Sequence, residues 1–294
     1  MVWRVSMGAL NKLSLTLSMI KFHHTVFALP FALIAMFWAA GGLPPVRTVL
    51  LILLAMVSSR SLAMTANRIA DIEYDRRNPR TSDWPLASGE LSVTFAWVFL
   101  ALNLLIFEFS AYFLGKLCFY LSPVALLFLL GYSFTKRFTW LCHIILGFTD
   151  GIAPMGAWIA VTGRWAVPPM WLSLAVTFWV AGFDMLYSIQ DIDIDRQEGL
   201  FSLPSRFGIK AALYVSAILH ALTFVCYGMA AWSFGSGMIF YAGLLLIAPL
   251  LVYEHLIITP EDTSRIDAAF FTVNGFVSIL LLVFAAADLY WRVN

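Results

Sequence analysis

Charge is scarce in this chain. Only 12% of its 294 residues are Asp, Glu, Lys or Arg, and 61% are hydrophobic, whereas a water-soluble domain carries roughly 25% charged residues. Such a composition excludes an ordinary soluble domain and points to apolar surface buried in lipid. A surplus of one sign is also missing. The net charge is +1, which gives no electrostatic basis for a nucleic-acid partner. Cysteine is nearly absent: Cys118, Cys142 and Cys226 stand singly in apolar runs. With neither CxxC spacing nor an even number, they exclude a disulfide framework and are expected to be small buried packing residues. No low-complexity segment interrupts the chain. The stretch from Met1 to Phe22 lacks a cleavable-signal pattern, so the first apolar span is expected to stay in the mature protein.

What the sequence has in abundance is long apolar runs. A hydrocarbon core of about 30 Å needs roughly 20 apolar residues per helix. That window gives nine spans, at about 22–40, 48–69, 91–114, 117–134, 139–161, 169–190, 209–232, 237–257 and 266–289. The fourth is the weakest, being short and containing Pro123. Turn-forming stretches such as Gly41-Gly42-Leu43-Pro44-Pro45 and Thr259-Pro260-Glu261-Asp262 separate the runs. The fold class predicted is all-α: one polytopic membrane domain over 1–294. Of the 18 Lys and Arg, an N-terminus on the cytoplasmic side puts thirteen on inner segments. Four lie on outer ones (Arg47, Lys116, Arg164 and Arg292), and Arg60 lies within a span. The positive-inside rule favours that orientation.

The few acids are not scattered. Asn67, Asp71 and Asp75 are spaced by four, so on a continuous helix they share a face about 6 Å apart. Asp184, Tyr187, Asp191 and Asp195 share another, with Asp193 pointing away. Both rows end a span on the predicted cytoplasmic side, and a basic loop follows each. A carboxylate at the centre of a membrane helix costs about 2.5–3.5 kcal/mol, less near the interface. Like charges four residues apart also repel. Aligning them is favourable when a cation arrives. Oxygen ligands without His or Cys select a hard cation, and Mg²⁺ takes one or two carboxylates together with substrate phosphates. Two such rows facing each other would cage a Mg²⁺-bound diphosphate. A solvated pair of helix ends would need no such alignment. Lys136 and Arg137 face the same side and are candidates for stabilising charge on a departing diphosphate.

On these residues the chain resembles the UbiA-type intramembrane prenyltransferases. Asn67, Asp71 and Asp75 match that family's NDxxDxxxD, and Asp184, Tyr187, Asp191 and Asp195 match its DxxYxxxDxxxD. Gly199 to Pro204, Phe207-Gly208, Arg60 and the stretch Tyr132 to Arg137 fit as well. The resemblance implies nine helices around a central cavity open to the cytoplasm, in the inner (cytoplasmic) membrane. It implies that Mg²⁺, held through Asn67, Asp71, Asp75, Asp191 and Asp195, binds the diphosphate of a polyprenyl donor. The prenyl group then passes to an aromatic ring, with Asp71, Asp75, Asp191 and Asp195 as the catalytic acids. Asn67, Arg68, Arg60, Lys136, Arg137, Asp184 and Tyr187 are the implied substrate contacts, Arg137 for the diphosphate or an acceptor carboxylate. The branch most similar is the 4-hydroxybenzoate polyprenyltransferases, including those linked to menaquinone made through futalosine, so a place in ubiquinone or menaquinone synthesis is implied. No obligatory protein partner is expected.

Two positions depart from the pattern: Arg68 stands where many members have Asp, and Trp84 where Arg usually precedes Pro-Leu. A naphthoate, haem or chlorophyll-like acceptor remains open, as does a transporter, since acids within a membrane also mark transport. Arg60 is expected to face the bundle interior, in contact with the acids or lining the cavity. His23 and His24 are expected to be interfacial. Phe183 and Tyr187 are candidates to face a carbocation. Gly147, Gly151 and Gly156 are expected to allow close helix approach.

Overall fold

Uninterrupted apolar runs satisfy their backbone internally, and a lipid-embedded chain has only the helix or the closed barrel for that purpose. The computed structural model describes residues 9–22 and 25–293. His23, His24 and Arg4 lie outside them. The helices are α1 (Ala9–Met19), α2 (Thr25–Ala40), α3 (Val46–Ala70), α4 (Ile72–Arg77), α5 (Val93–Leu114), α6 (Lys116–Thr135), α7 (Cys142–Thr162) and α8 (Val167–Tyr187). After a 3₁₀ turn (Ser188–Asp191) come α9 (Ile192–Gln197), α10 (Leu203–Phe207), α11 (Ile209–Phe234), α12 (Met238–Leu256), a π-helical turn (Ala268–Val273) and α13 (Asn274–Val293).

Among the described residues, eight helical segments are long and apolar enough to cross a membrane. The expected first span corresponds to α2, whose 16 residues fall short of that length. Its end is set by Gly41, which turns the chain at φ 62°. The doubtful fourth span forms in full as α6, with Pro123 inside it. It follows α5 after one residue, Gly115 at φ 131°, a conformation that a Cβ would strain.

α8 is the central element, packed between α7 and α11. Two glycines of α7 let its backbone meet that of α8: a Cβ on Gly147 would collide with the Thr177 carbonyl, and one on Gly151 with the Thr177 hydroxyl. Gly156 does not share this role, since a Cβ there would meet nothing within 4 Å. The core against which α2, α8, α11, α12 and α13 pack mixes aliphatic and aromatic side chains, with Phe31, Trp179, Tyr227 and Phe240 fully buried. Cys226 is buried there as expected, whereas Cys118 and Cys142 are only half-buried. A second, smaller core sits at the acidic end of the bundle. There Leu86 and Leu91 pack on Met19, Ile20, Met64 and Ala96, anchoring the loop between α4 and α5 to α1 and α3. Each such leucine contributes about 1.5–3 kcal/mol when fully buried.

Candidate active site

The first acidic row is not one continuous helix. α3 ends at Ala70, and Asp71 adopts φ −100°, ψ 8° before α4 begins. The second row breaks at the equivalent place: Asp191 has φ −105°, ψ 7° between the 3₁₀ turn and α9. A 3₁₀ turn advances about 120° per residue against about 100° in an α-helix. The expected stacking of Asp184, Asp191 and Asp195 on one helix face is therefore lost. Asp193 is exposed, as its spacing predicted.

The two rows nonetheless open on one cavity of about 250 Å³. It is lined by Asn67, Arg68, Asp71, Asp75, Asp184, Tyr187, Asp191 and Asp195, with Arg60, Asn78, Arg80, Trp84, Lys136, Phe183 and Phe270. The carboxylates hold cations and polar donors. Asp71 accepts from Asn67 Nδ2 (3.1 Å) and pairs with Lys136 Nζ (2.9 Å) and Arg137 Nη2 (3.4 Å). Asp75 pairs with the buried Arg68 at 3.6 Å. Asp191 receives Arg80 Nε at 3.0 Å and Asn78 Nδ2 at 3.0 Å. Asp195 accepts from Ser202 Oγ at 2.7 Å, and Asp184 meets His143 Nδ1 at 2.7 Å.

Burial and charge set the protonation tendencies at the mouth. Burial pushes the Asp75 carboxyl above its ordinary range, with Arg68 opposing it. For Lys136 burial acts downward, yet the Asp71 carboxylate outweighs it and holds the ammonium above its usual value. Arg80 behaves likewise, burial being overcome by its bond and charge contact with Asp191.

Not every expected contact is a cavity contact. Arg137 donates to the Ala70 carbonyl at 2.6 Å, at the last residue of α3, so it braces the break in the helix. Arg76 pairs with Glu73, Arg77 with Glu198, and Arg196 donates to the Ser205 carbonyl. Arg60 lines the cavity and faces Asp150 at 3.9 Å, leaving its Nε without a hydrogen-bond partner. Trp84 stacks on the Arg68 guanidinium at 3.6 Å, so the two departures from the pattern are in contact.

Asp150 is passed over in the reading of the sequence, and Asn78, Arg80, His143 and Ser202, though they lie in stretches noted there, are not singled out as site residues by it. Arg80 was hidden because loop arginines satisfy the positive-inside rule, and Asn78 because a loop asparagine reads as a turn residue. Their signal was the Asn-Pro-Arg turn directly after the acidic row, where Asn78 Oδ1 accepts from the Arg80 amide at 2.9 Å. Asp150 and His143 carried the ordinary mark of ionisable residues within a span.

A second cavity, about 380 Å³ and almost wholly apolar, lies among α3, α5, α6, α7 and α8. Arg60, Tyr132, Leu146 and Asp150 line both spaces, so they mark the junction.

The sequence profile of the UbiA prenyltransferase family matches residues 28–280. The chain belongs to this family. Among the relatives of this UbiA member is the 4-hydroxybenzoate octaprenyltransferase of Shewanella sp. (strain ANA-3), 30% identical over 257 residues, or 87% of this chain and 89% of that protein. The apo structure of a UbiA homolog from Aeropyrum pernix K1 shares the fold with a TM-score of 0.82 and 32% identity, over 90% of this chain and 98% of that one. A UbiA homolog from Archaeoglobus fulgidus bound to GPP and Mg²⁺ superposes with a TM-score of 0.68 at 22% identity, over 94% and 99% of the two chains, which shows the shared fold.

The oxygen donors of this UbiA site suit a hard cation. Among the described residues no three His, Cys, Asp or Glu side chains converge closely enough to hold a metal between them. The carboxylate and amide oxygens that line the cavity are donors of the kind a divalent cation takes.

Proposed function

We propose that this enzyme transfers a polyprenyl group from polyprenyl diphosphate to an aromatic acceptor, with 4-hydroxybenzoate as that acceptor. The observation that carries the reading is the joining of two unlike spaces at one short junction: an ionic cavity sized for a diphosphate and an apolar one suited to an isoprenoid. Asn67, Asp71, Asp75, Asp191 and Asp195 would hold the Mg²⁺ and its diphosphate. Bound there, the ion neutralises the charge that gathers on the leaving group.

The chain's own cations divide the remaining work. Lys136, now on the Asp71 carboxylate, is placed to turn to diphosphate oxygens, while Arg80 stays on Asp191 and orients it. The allylic C–O bond breaks with its electron pair going to the diphosphate. The aromatic faces of Phe183 and Tyr187 stabilise the allylic cation, by about 0.5–2 kcal/mol each. The acceptor's ring carbon ortho to the hydroxyl then forms the new C–C bond, and that carbon's proton passes to water or the released diphosphate, which restores aromaticity. Arg60 has a buried, unpartnered Nε at the junction and is the group suited to an acceptor carboxylate. We further read residues 1–294 as one catalytic domain in the inner (cytoplasmic) membrane, with the ionic cavity on the cytoplasmic side.

The test is mass spectrometry of product formed by the purified protein with Mg²⁺, a polyprenyl diphosphate and either 4-hydroxybenzoate or a naphthoate. Prenylated 4-hydroxybenzoate is expected. A product with the naphthoate alone would reassign the acceptor. Full activity in EDTA, or solute flux into proteoliposomes without any product, would overturn the reading.

A further inference from the structure

We propose that His143 is a positioning residue for the reaction, acting through Asp184. The inference rests on the function proposed above. His143 is 2% exposed and does not line the cavity, whereas Asp184 does. Its two ring nitrogens are both engaged. Nε2 lies 3.2 Å from the backbone amide of Leu203, and Nδ1 lies 2.7 Å from Asp184 Oδ2. A backbone amide only donates, so Nε2 is the acceptor. The ring proton of the neutral imidazole therefore sits on Nδ1 and is donated to Asp184. One oxygen of Asp184 is thereby held, and the other, on a residue that lines the cavity, is the one the proposal gives to the acceptor's hydroxyl.

The amide that sets this tautomer belongs to a short strap with two further attachments. The Phe201 amide donates to the Lys136 carbonyl at 2.6 Å, and Ser202 Oγ donates to Asp195 Oδ2 at 2.7 Å. Three consecutive residues thus reach the Lys136 loop, Asp195 and, through His143, Asp184. The strap is itself held by reciprocal bonds between Ser202 and Ser205, which cap α10. His143 is the piece that carries this fixed frame to a carboxylate on a different helix.

The test compares His143→Ala, His143→Asn, Asp184→Ala and the double variant His143→Ala/Asp184→Ala, all assayed for transfer in the full-length protein beside the wild type. Loss of a hydrogen bond to a charged group costs about 10–100-fold in the step that it supports. His143→Ala is expected to lose that much in kcat or acceptor KM while the KM for the prenyl diphosphate stays within about twofold. His143→Asn, whose amide nitrogen can stand where Nδ1 stood, recovers most of the loss. In the Asp184→Ala background, His143→Ala costs nothing further. Independent losses in the double variant, or an unchanged His143→Ala, overturn the proposal. Should His143→Ala not fold, His143→Gln serves beside His143→Asn: its amide reaches the Nε2 position, so it is expected to be impaired while Asn is active, and equal activity of the two overturns the proposal. The ring ¹⁵N resonances of His143 in the unliganded protein give a readout free of catalysis. Protonation at Nδ1 is expected, and a ring protonated at Nε2 overturns the inference. Absence of transfer in the wild type would instead overturn the function.

Discussion

Arg80 grips Asp191 with two guanidinium nitrogens, Nε at 3.0 Å from Oδ1 and Nη2 on Oδ2, across 111 residues of sequence. Its Nη1 also reaches the Tyr187 hydroxyl at 3.1 Å. The loop that follows the first acidic row is therefore fastened to the second row. Arg80→Ala removes the fork and leaves Asp191 with Asn78 alone. Transfer is expected to fall about 10–100-fold, the usual cost of losing a supporting partner of a ligating carboxylate. Arg80→Lys is expected to recover little, because a point ammonium cannot reproduce a two-pronged contact. Steady-state kinetics of the two variants check this, and full activity in Arg80→Ala would separate this contact from catalysis.

The proposed use of Mg²⁺ can be tested through the way metal and diphosphate bind together. Asp71 and Asp191 each hold a cationic side chain, and no three potential ligands converge among the described residues. Mg²⁺ alone is expected to bind weakly, and binding is expected to tighten when a prenyl diphosphate is present. Calorimetric titration with the ion alone, the diphosphate alone and both together measures that coupling. Chelation is expected to abolish transfer, with added Mg²⁺ restoring it.

Much of this architecture was legible in the sequence. Spacing placed the acids of the first row, because a four-residue interval survives its bend: the Asp71 amide still bonds Asn67 O at 2.9 Å, and the Asp75 amide Asp71 O at 2.8 Å. Run length gave the helices, because lipid leaves the backbone no other partner. Spacing could not show the breaks at Asp71 and Asp191, which depend on tertiary contacts such as Arg137 on the Ala70 carbonyl. Nor could it single out Arg80 among the loop arginines, whose abundance membrane orientation already explains. Asp150 facing Arg60 is a pairing of distant residues on α7 and α3 that no local pattern records.

A buried carboxylate outside the acidic rows is bonded, through Asn274, to the turn that forms part of the cavity wall. Glu254 is fully buried and accepts from Asn274 Nδ2 at 3.0 Å, and the same amide donates to the Ala269 carbonyl at 3.1 Å. That bond steadies the π-helical turn carrying Phe270, whose ring stands 4.2 Å from that of Tyr187. Glu254→Ala strands Asn274 and is expected to cost about 1–3 kcal/mol. Glu254→Gln, which keeps an acceptor oxygen, is expected to cost less. Thermal unfolding in detergent ranks the two, and equal stability of Glu254→Ala and wild type would sever the link.

Close contact between α7 and α8 makes a sharp contrast among three glycines. Gly151→Ala drives a methyl group against the Thr177 hydroxyl and brings it to 2.7 Å from the Ser173 carbonyl. Overpacking of that kind costs about 1–3 kcal/mol and more where backbone must shift. Gly147→Ala meets the Thr177 carbonyl and is expected to be at least as damaging. Gly156→Ala is expected to be benign. Yields of folded, monodisperse protein for the three variants give the order.

Gly156 offers the most direct way to ask what the apolar cavity holds. It lines that space, and a Cβ built on it meets nothing within 4 Å, so a large side chain can enter without displacing the helix. Gly156→Phe would place a ring within the roughly 380 Å³ that the proposed function assigns to the isoprenoid. The diphosphate and acceptor contacts on the ionic side would be untouched. Short donors such as geranyl diphosphate should keep their rate, while long polyprenyl donors lose about tenfold or more, since a single misplaced methylene is worth about 1–3 kcal/mol in a filled apolar pocket. The KM for the aromatic acceptor should not move. If short and long donors are slowed alike, the chain runs elsewhere, because a plug in its path must discriminate by length.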